Sequence, residues 1–249
     1  MPVADYVFFA AGLLGLVLTT MAVARVAGVG LGWAPLVSLV RASAQLTVVA
    51  LLLRGILTIP WTVVAFLALM LLTASWTAAG RLHELWRGRR AAVAGVLAGA
   101  SIALAMILAL RLVDPEPRYL VAVAGIVIGN AMSAATLSGR NFLRALRHRH
   151  DEVEAWLSLG ATPSQAHLEI GRESVRESLL PNLDQTRSTG LVTLPGAFVG
   201  ALFGGASPAV AAQFQLVVLA GIALAMVVTG VVVTRLLGRS PYVLAADEA

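Results

Sequence analysis

Long apolar runs, separated by short polar segments, dominate the pattern along the chain. Each run is close to the roughly 20 residues that an α-helix needs to cross a bilayer. Tryptophans and tyrosines stand near several ends of these runs, where their rings favour the headgroup level. The pattern predicts an all-α fold, a polytopic membrane helical bundle of about seven transmembrane helices in a single domain, 1–249. The predicted spans are 7–24, 36–57, 61–80, 91–110, 119–138, 188–206 and 213–236.

Composition agrees with a lipid environment and excludes several kinds of chemistry. The 249 residues are 59% hydrophobic and 12% charged, which is too apolar for a soluble domain. The chain has no cysteine and no lysine, which excludes thiolate metal sites and a phosphate-binding loop of the Walker type. ATP-driven work would therefore need another chain for hydrolysis. Because no histidine or carboxylate falls inside the predicted spans, we expect neither an enzyme nor a cofactor.

Charge placement predicts the orientation of the chain. The basic residues are all arginines, and most of them fall in the loops 81–90 and 139–187. Arginine-rich loops stay on the cytoplasmic side, so the N-terminus is predicted outside and the C-terminus inside. The first residues lack the positive flank of a secretory signal, so the first run is predicted to be a retained helix. The net charge of +5 reflects topology in a lipid bilayer, and no nucleic-acid partner is expected.

The second of these loops is predicted to form a cytoplasmic helical hairpin between the fifth and sixth spans. An amphipathic helix continues out of the fifth span, and Gly160 suits its C-terminal cap because glycine adopts the left-handed conformation at little steric cost. Thr162, Pro163 and Gln165 have the pattern of a capped helix start, and this second helix is predicted to end before Pro181. Such a hairpin either closes a surface loop or gives a separate motor protein a surface to press on.

Four sequence blocks resemble one transporter family. They occur in the order and at the spacing of the iron-export ABC permease family, which also includes the plant aluminium-tolerance permeases. The third block is similar to the coupling motif of ABC importer permeases, although Trp156 stands in place of its second alanine. The blocks are Arg41-Ala-Ser-Ala-Gln45-Leu46, Gly129-Asn130-Ala-Met132-Ser-Ala-Ala, Glu154-Ala155-Trp-Leu-Ser-Leu-Gly160-Ala-Thr-Pro163 and Gly190-Leu-Val-Thr-Leu-Pro195-Gly196.

The resemblance implies the permease subunit of an ABC transporter in the cell inner (plasma) membrane. Such a permease pairs with a separate cytoplasmic ATP-binding subunit, forms a homodimer and exports its substrate, here a metal ion such as iron. The resemblance also implies that the hairpin turn couples the permease to the ATP-binding subunit. The implied coupling residues are Glu154, Ala155, Leu159, Gly160, Ala161 and Pro163.

Polar residues inside the predicted spans are candidates for the transport path, and each has a structural alternative. Arg41 and Gln45 lie one turn apart on the second span. Arg41 either extends to the interface, bonds another span or faces the path. Asn130, Met132 and Ser133 lie close together on the fifth span, where polar groups more often join helices than bind substrate.

The sixth predicted span combines a proline with closely spaced glycines. Pro195 can kink or break a membrane helix, while Gly196 and Gly200 allow another backbone to approach closely. Close packing and a broken helix beside the path therefore both fit this pattern. The family usually has two methionines and a glutamine after this proline, so the metal ligands stay unknown. The residues that stand in their place are Ala197, Phe198 and Ala201.

Alternatives to metal export stay open. An ABC permease of this kind could carry a non-metal substrate such as a nucleotide sugar. An ion-coupled secondary transporter shares the size and the broken helices, but the missing carboxylates inside the spans and the hairpin turn argue against it. A passive scaffold or channel is a weaker alternative.

Overall fold

Ten helices and no strand occur in the part of the chain that the structure, a computed structural model, describes: residues 3–56 and 60–240. The predicted all-α class is therefore confirmed. The helices are α1 (Val3–Val26), α2 (Ala34–Ile56), α3 (Pro60–Arg81), α4 (Gly88–Ala109), α5 (Pro117–His148), α6 (His150–Ser158), α7 (Pro163–Ala166), α8 (Leu168–Ser188), α9 (Gly196–Phe203) and α10 (Pro208–Leu237).

Six helices in these described ranges are long and apolar enough to cross a membrane, against seven predicted. They are α1, α2, α3, α4, α5 and α10. The predicted span 188–206 is the exception, because α8 ends at Ser188 and α9 has only eight residues. Eight residues give about 12 Å of helix, far short of a hydrocarbon layer of about 30 Å.

A tight turn separates α8 from α9 and accounts for the missing long helix. Gly190 has a φ of +96°, a conformation that favours glycine, and its N–H donates to the Thr193 carbonyl at 2.8 Å. Of the two alternatives for this segment, the structure has the broken helix. The predicted helix end before Pro181 is wrong, because α8 continues through this proline. Buried Ser178 and Asn182 hold the helix on either side of it.

Two compact units divide the chain, Met1–Ile59 and Pro60–Ala249. The first contains α1 and α2, which are joined by a turn where Gly28 and Gly32 have φ angles of +70° and +52°. No residue in the apolar windows of α1 and α2 is buried within the chain. Helices that are apolar on all sides need lipid or other membrane helices around them. The second unit contains α3 to α10, and the prediction of one domain stays a prediction.

The core of the second unit centres on α10, which packs closely against α4. A β-carbon at Gly95 would lie 2.6 Å from Val233, and one at Gly99 would lie 2.5 Å from the Ala225 carbonyl oxygen. The Thr229 hydroxyl donates to the Gly95 carbonyl at 3.1 Å. Small residues at such a contact let two membrane helices gain van der Waals packing and interhelical hydrogen bonds.

The helix α8 lies antiparallel to α10. A β-carbon at Gly171 would lie 3.4 Å from Thr234, and one at Gly230 would lie 3.2 Å from Val175. The contacts therefore move to higher residue numbers along α8 and to lower residue numbers along α10. The side of α8 that makes this contact is built from small residues, which permits the close approach.

The helix α5 holds α8 from another side. The Ser138 hydroxyl of α5 donates to the Ser178 hydroxyl of α8 at 3.0 Å, and both side chains are buried. A β-carbon at Gly230 of α10 would lie 2.9 Å from the same Ser138 hydroxyl. The three helices thus meet at one level. The helix α8 thus packs against both α5 and α10, and the predicted cytoplasmic position of 139–187 stays a prediction.

Candidate functional site

The turn between α6 and α7 brings together all the residues predicted to couple to an ATP-binding subunit. Gly160 ends α6 with a φ of +88°, as its predicted capping role requires. The Gln165 side-chain oxygen accepts hydrogen bonds from the Thr162 N–H and hydroxyl, each at 2.8 Å. These bonds fix the start of α7 and confirm the predicted capped helix start. Among the coupling residues, Glu154, Ala155, Leu159 and Gly160 are exposed, while Ala161 and Pro163 are partly buried.

An open groove of about 700 Å³ lies beside this turn. Large apolar side chains at the groove face solvent, since Trp156 is 51% exposed, Leu159 81% and Leu168 48%. Exposed apolar surface rimmed by polar residues is typical of protein interaction sites. Here the rim is acidic, with Glu152 and Glu169 among the lining residues.

Beside the groove, Arg149 connects α6 to α8 by hydrogen bonds. The Arg149 guanidinium donates to Glu152 of α6 at 2.7 and 2.8 Å and to Glu173 of α8 at 3.0 Å. The hydrogen bonds from Arg149 lower the pKa of the Glu152 carboxyl. The same bonds to Glu152 raise the pKa of the guanidinium. Arg149 therefore holds α6 and α8 together while Glu152 stays ionised.

The end of α8 lies beside the apolar centre of the bundle. Asp184 is nine residues beyond Val175, about 14 Å along the helix axis, which brings it level with Gly221 of α10. Gly221 packs against Val127 of α5. The helix α10 carries no charged residue before Arg235. By this register Asp184 is the carboxylate of α8 that comes nearest the apolar centre of the bundle.

Asp184 forms an ion pair with Arg187 on the side of α8 that faces away from α5 and α10. The Arg187 Nη1 atom lies 3.2 Å from the Asp184 Oδ1 atom, and the two side chains are 77% and 67% exposed. A charged side chain at the centre of a spanning helix costs at least ~2.5 kcal/mol on insertion scales. This side of α8 is thus unsuited to lipid. Other charged residues on it are Arg172, Glu173, Arg176 and Glu177.

The path candidates on α2 and α5 have ordinary local environments. Arg41 and Gln45 are exposed on α2 within the first unit. On α5, the Asn130 amide donates to its own helix at the Ile126 carbonyl, 2.8 Å away. The Ser133 hydroxyl likewise bonds to the Gly129 carbonyl at 3.1 Å, and Met132 packs partly buried against the core. The polar pair on α5 therefore bonds its own helix in these contacts. A role in the path stays a prediction.

The candidates at the break precede and begin α9. Pro195 is the residue before the first turn of α9, and Gly196 starts the helix. Within the part of the chain that the structure describes, nothing lies within 4 Å of a β-carbon placed at Gly196 or Gly200. The glycines therefore leave an open side on α9 rather than a packed contact.

No set of residues for a bound metal emerges. Among residues 3–56 and 60–240, no group of three or more histidine, cysteine, aspartate or glutamate side chains could hold a metal ion.

The outer side of α8 is the feature that sequence reasoning missed. Its charges predicted a cytoplasmic loop, although one signal of its packing against α5 and α10 was present. Gly171, Ser174, Val175 and Ser178 recur at helical spacing, a stripe of small residues that permits close contact with neighbouring helices.

Fold and site together define a class of protein. Six long apolar helices are the feature of a multi-pass α-helical membrane protein. A family model described as an uncharacterised protein family, UPF0014, matches residues 8–242. The chain belongs to the UPF0014 family.

Several curated proteins are similar to this chain. It is 39% identical over 142 residues to the UPF0014 membrane protein STAR2 of Oryza sativa subsp. japonica, covering 57% of the chain and 50% of the relative. It is 37% identical to ALUMINUM SENSITIVE 3 of Arabidopsis thaliana, covering 57% and 52%. It is 35% identical to the probable iron export permease protein FetB of Escherichia coli strain K12, covering 49% and 48%.

The matched part of the chain spans about half the length of these curated relatives. No solved structure matches the chain.

Proposed function

We propose that this chain is the membrane-spanning permease subunit of an ABC transporter and that a separate ATP-binding subunit powers it. The groove beside Gly160 carries the proposal. It presents Trp156 and Leu159 to solvent on a turn that glycine and capping bonds make rigid. Aromatic and apolar anchors with a polar rim are what a stable partner docks against.

We propose a metal ion such as iron as the exported substrate. The name of the related protein from Escherichia coli, a probable iron export permease, supports this substrate class. A non-metal substrate such as a nucleotide sugar is the alternative within the same architecture.

The proposed assembly is a homodimer of permeases with two ATP-binding subunits in the inner (plasma) membrane. The loop between α3 and α4 contains Arg87, beside Arg89 and Arg90 at the start of α4. Arginine-rich loops favour the cytoplasmic side. The same side then holds the groove and the C-terminus. Six crossings would put both termini on one side, so an N-terminus outside requires α8 and α9 together to make a seventh, interrupted crossing. Residues 1–249 would act as one permease domain.

The test of this proposal is co-expression with the candidate ATP-binding subunit. The purified complex in lipid should hydrolyse ATP faster when Fe²⁺ is present, and inside-out vesicles should accumulate Fe²⁺ only with ATP. A stable complex whose hydrolysis ignores every metal would remove iron and direct the search to nucleotide sugars. Failure to bind any ATP-binding subunit would remove the ABC assignment.

Substitutions in the turn test the docking step. Glu154→Arg reverses a charge on exposed α6, and Gly160→Val places a β-branched residue at a φ of +88° where it is strained. Both variants should insert normally and lose ATP-dependent transport. The matched control is Glu84→Arg, an exposed charge reversal in the loop between α3 and α4. Normal transport in both turn variants would contradict docking at this turn.

An ion-coupled secondary transporter is the second candidate, and one observation favours it. By its register along α8, Asp184 would bring a carboxylate to the apolar centre of the bundle, and carboxylates are the residue type that proton and ion relays use. The vesicle experiment separates the two mechanisms. Transport that persists without ATP and collapses when an ionophore removes the ion gradient would favour ion coupling over the ABC assignment.

A further inference from the structure

We propose that the outer side of α8 lines a water-filled path for a charged solute, and this inference rests on the proposed permease function. The outer side is defined by Arg176, Glu177, Leu183, Asp184 and Arg187. It begins near the level of Ser138 on α5 and continues to the level of Gly221 on α10.

Position and charge together carry the inference. The inner side of α8 is fixed to the bundle by the Ser178–Ser138 hydrogen bond and the contact of Val175 with Gly230. These contacts fix which side of α8 faces outward. The outward side holds the exposed Asp184–Arg187 ion pair beside the part of α10 that carries no charged residue. Lipid cannot hydrate such groups, so water must reach them.

The break after α8 supports a path at this place. Irregular backbone at membrane depth is tolerated where it is buried in protein or lines a water-filled cavity. The turn Thr189–Pro195 follows directly on Ser188, one residue beyond Arg187. Transporters place interrupted helices of this kind beside their substrates. The turn and the charged side of α8 thus point to the same cavity.

The class of solute follows from the chemistry of this side. This side carries two carboxylates and two guanidinium groups, and all four are exposed. Such a surface suits a hydrated ion or a charged organic molecule and does not suit a membrane lipid. The path therefore narrows the proposed substrate to a hydrophilic one.

The absence of cysteine makes the path directly measurable. Single cysteines are introduced at Leu183 and Asp184 on α8, and at Leu216 and Val227 on α10, which are exposed apolar positions at comparable depth. The full chain is kept in lipid vesicles with its ATP-binding subunit. The probe is a charged, membrane-impermeant methanethiosulfonate, and labelling after denaturation confirms that every cysteine is present.

We expect both α8 cysteines to react at least about ten times faster than both α10 cysteines, because only a hydrated thiol ionises readily. Labelling at Leu183→Cys should also block ATP-dependent Fe²⁺ accumulation, since the attached group fills the path. Leu183→Cys adds no charge change and keeps the experiment informative if Asp184→Cys inserts poorly.

Three results would overturn the inference. Unreactive α8 cysteines in a chain that still transports would remove the path from α8 and leave the permease function standing. Fast labelling without any block would show a water-filled cavity that is not the path. Absence of ATP-dependent transport in the unlabelled chain would overturn the permease function, and the path with it.

Discussion

Two helices of the second unit, α8 and α10, lie side by side at the same depth and have opposite compositions. The helix α10 has one charged residue in 30, Arg235, near its end. The helix α8 has seven charged residues in 21. Both bury one side against α5. The comparison shows that the surroundings of the outer side of a helix, rather than its depth, determine which residue types the helix can contain there.

The inner sides of the two helices are alike. Small residues and hydroxyls make the contacts in both cases, with Ser178 on α8 and Thr229 on α10 each bonded to a neighbouring helix. The difference lies wholly on the outer sides. Exposed leucine and valine on α10 suit lipid, while the charges on α8 need water.

The largest expected effect on stability is at the close contact between α4 and α10. Gly99→Leu would bring a side chain into the Ala225 carbonyl oxygen, 2.5 Å from the new β-carbon. Because helix backbone cannot move aside cheaply, we expect a loss of at least about 3 kcal/mol in the free energy of unfolding. Thermal unfolding of the purified protein measures it. Gly200→Leu is the matched control, with open space around it, and equal losses in both would contradict the packing.

The second prediction exchanges the characters of the two outer sides. Val227→Asp puts a carboxylate on the exposed side of α10 and should destabilise the inserted protein by about 2.5 kcal/mol. Asp184→Leu removes one from α8 and should cost less than about 1 kcal/mol, because Arg187 stays hydrated as exposed ion-pair partners do. Thermal unfolding in the same lipid compares them. A large loss of unfolding free energy in Asp184→Leu would mean that the Arg187 side chain is in contact with lipid.

The third prediction concerns a single interhelical hydrogen bond. Thr229→Val keeps the shape of the side chain and removes its donation to Gly95. Bonds of this kind contribute about 0.6 kcal/mol, with a maximum of about 1.7, so we expect a loss in this range. Thr73→Val is the control, because the Thr73 hydroxyl bonds only within α3 in the contacts observed, to Leu69 and Met70. Equal losses of unfolding free energy in the two variants would contradict a stabilising role for the bond between Thr229 and Gly95.

The smallest expected effect is a pH dependence of stability that arises from the bond between Arg149 and Glu152. Arg149 lowers the pKa of Glu152 in the folded protein. This bond therefore stabilises the fold above the ordinary carboxyl pKa of 4.5, and its contribution disappears as the pH falls through the lowered value. We expect the melting temperatures of the wild type and Glu152→Gln to converge below pH 4.5. The difference at pH 7 should be small, because the carboxylate is exposed. A gap that widens in acid would contradict this assignment.

The sequence predicted well where local chemistry decides the structure. Apolar run length identified six spans, and the left-handed glycine and the Thr162–Gln165 pair identified the turn at Gly160. It predicted poorly where a tertiary contact decides. The charges of α8 predicted a solvent-facing helix, but hydropathy could not reveal that the other side of α8 packs against α5 and α10. The glycine spacing at Gly196 and Gly200 likewise could not reveal whether a partner helix is present.

The hydrogen bonds of Arg149 connect α6 directly to α8. By the chain, the groove residue Trp156 is separated from α8 by the whole turn through Pro163. Through Arg149, only one guanidinium stands between α6 and Glu173. A partner docked in the groove would therefore press on α8 both directly, at Leu168 and Glu169, and through the hydrogen bonds of Arg149.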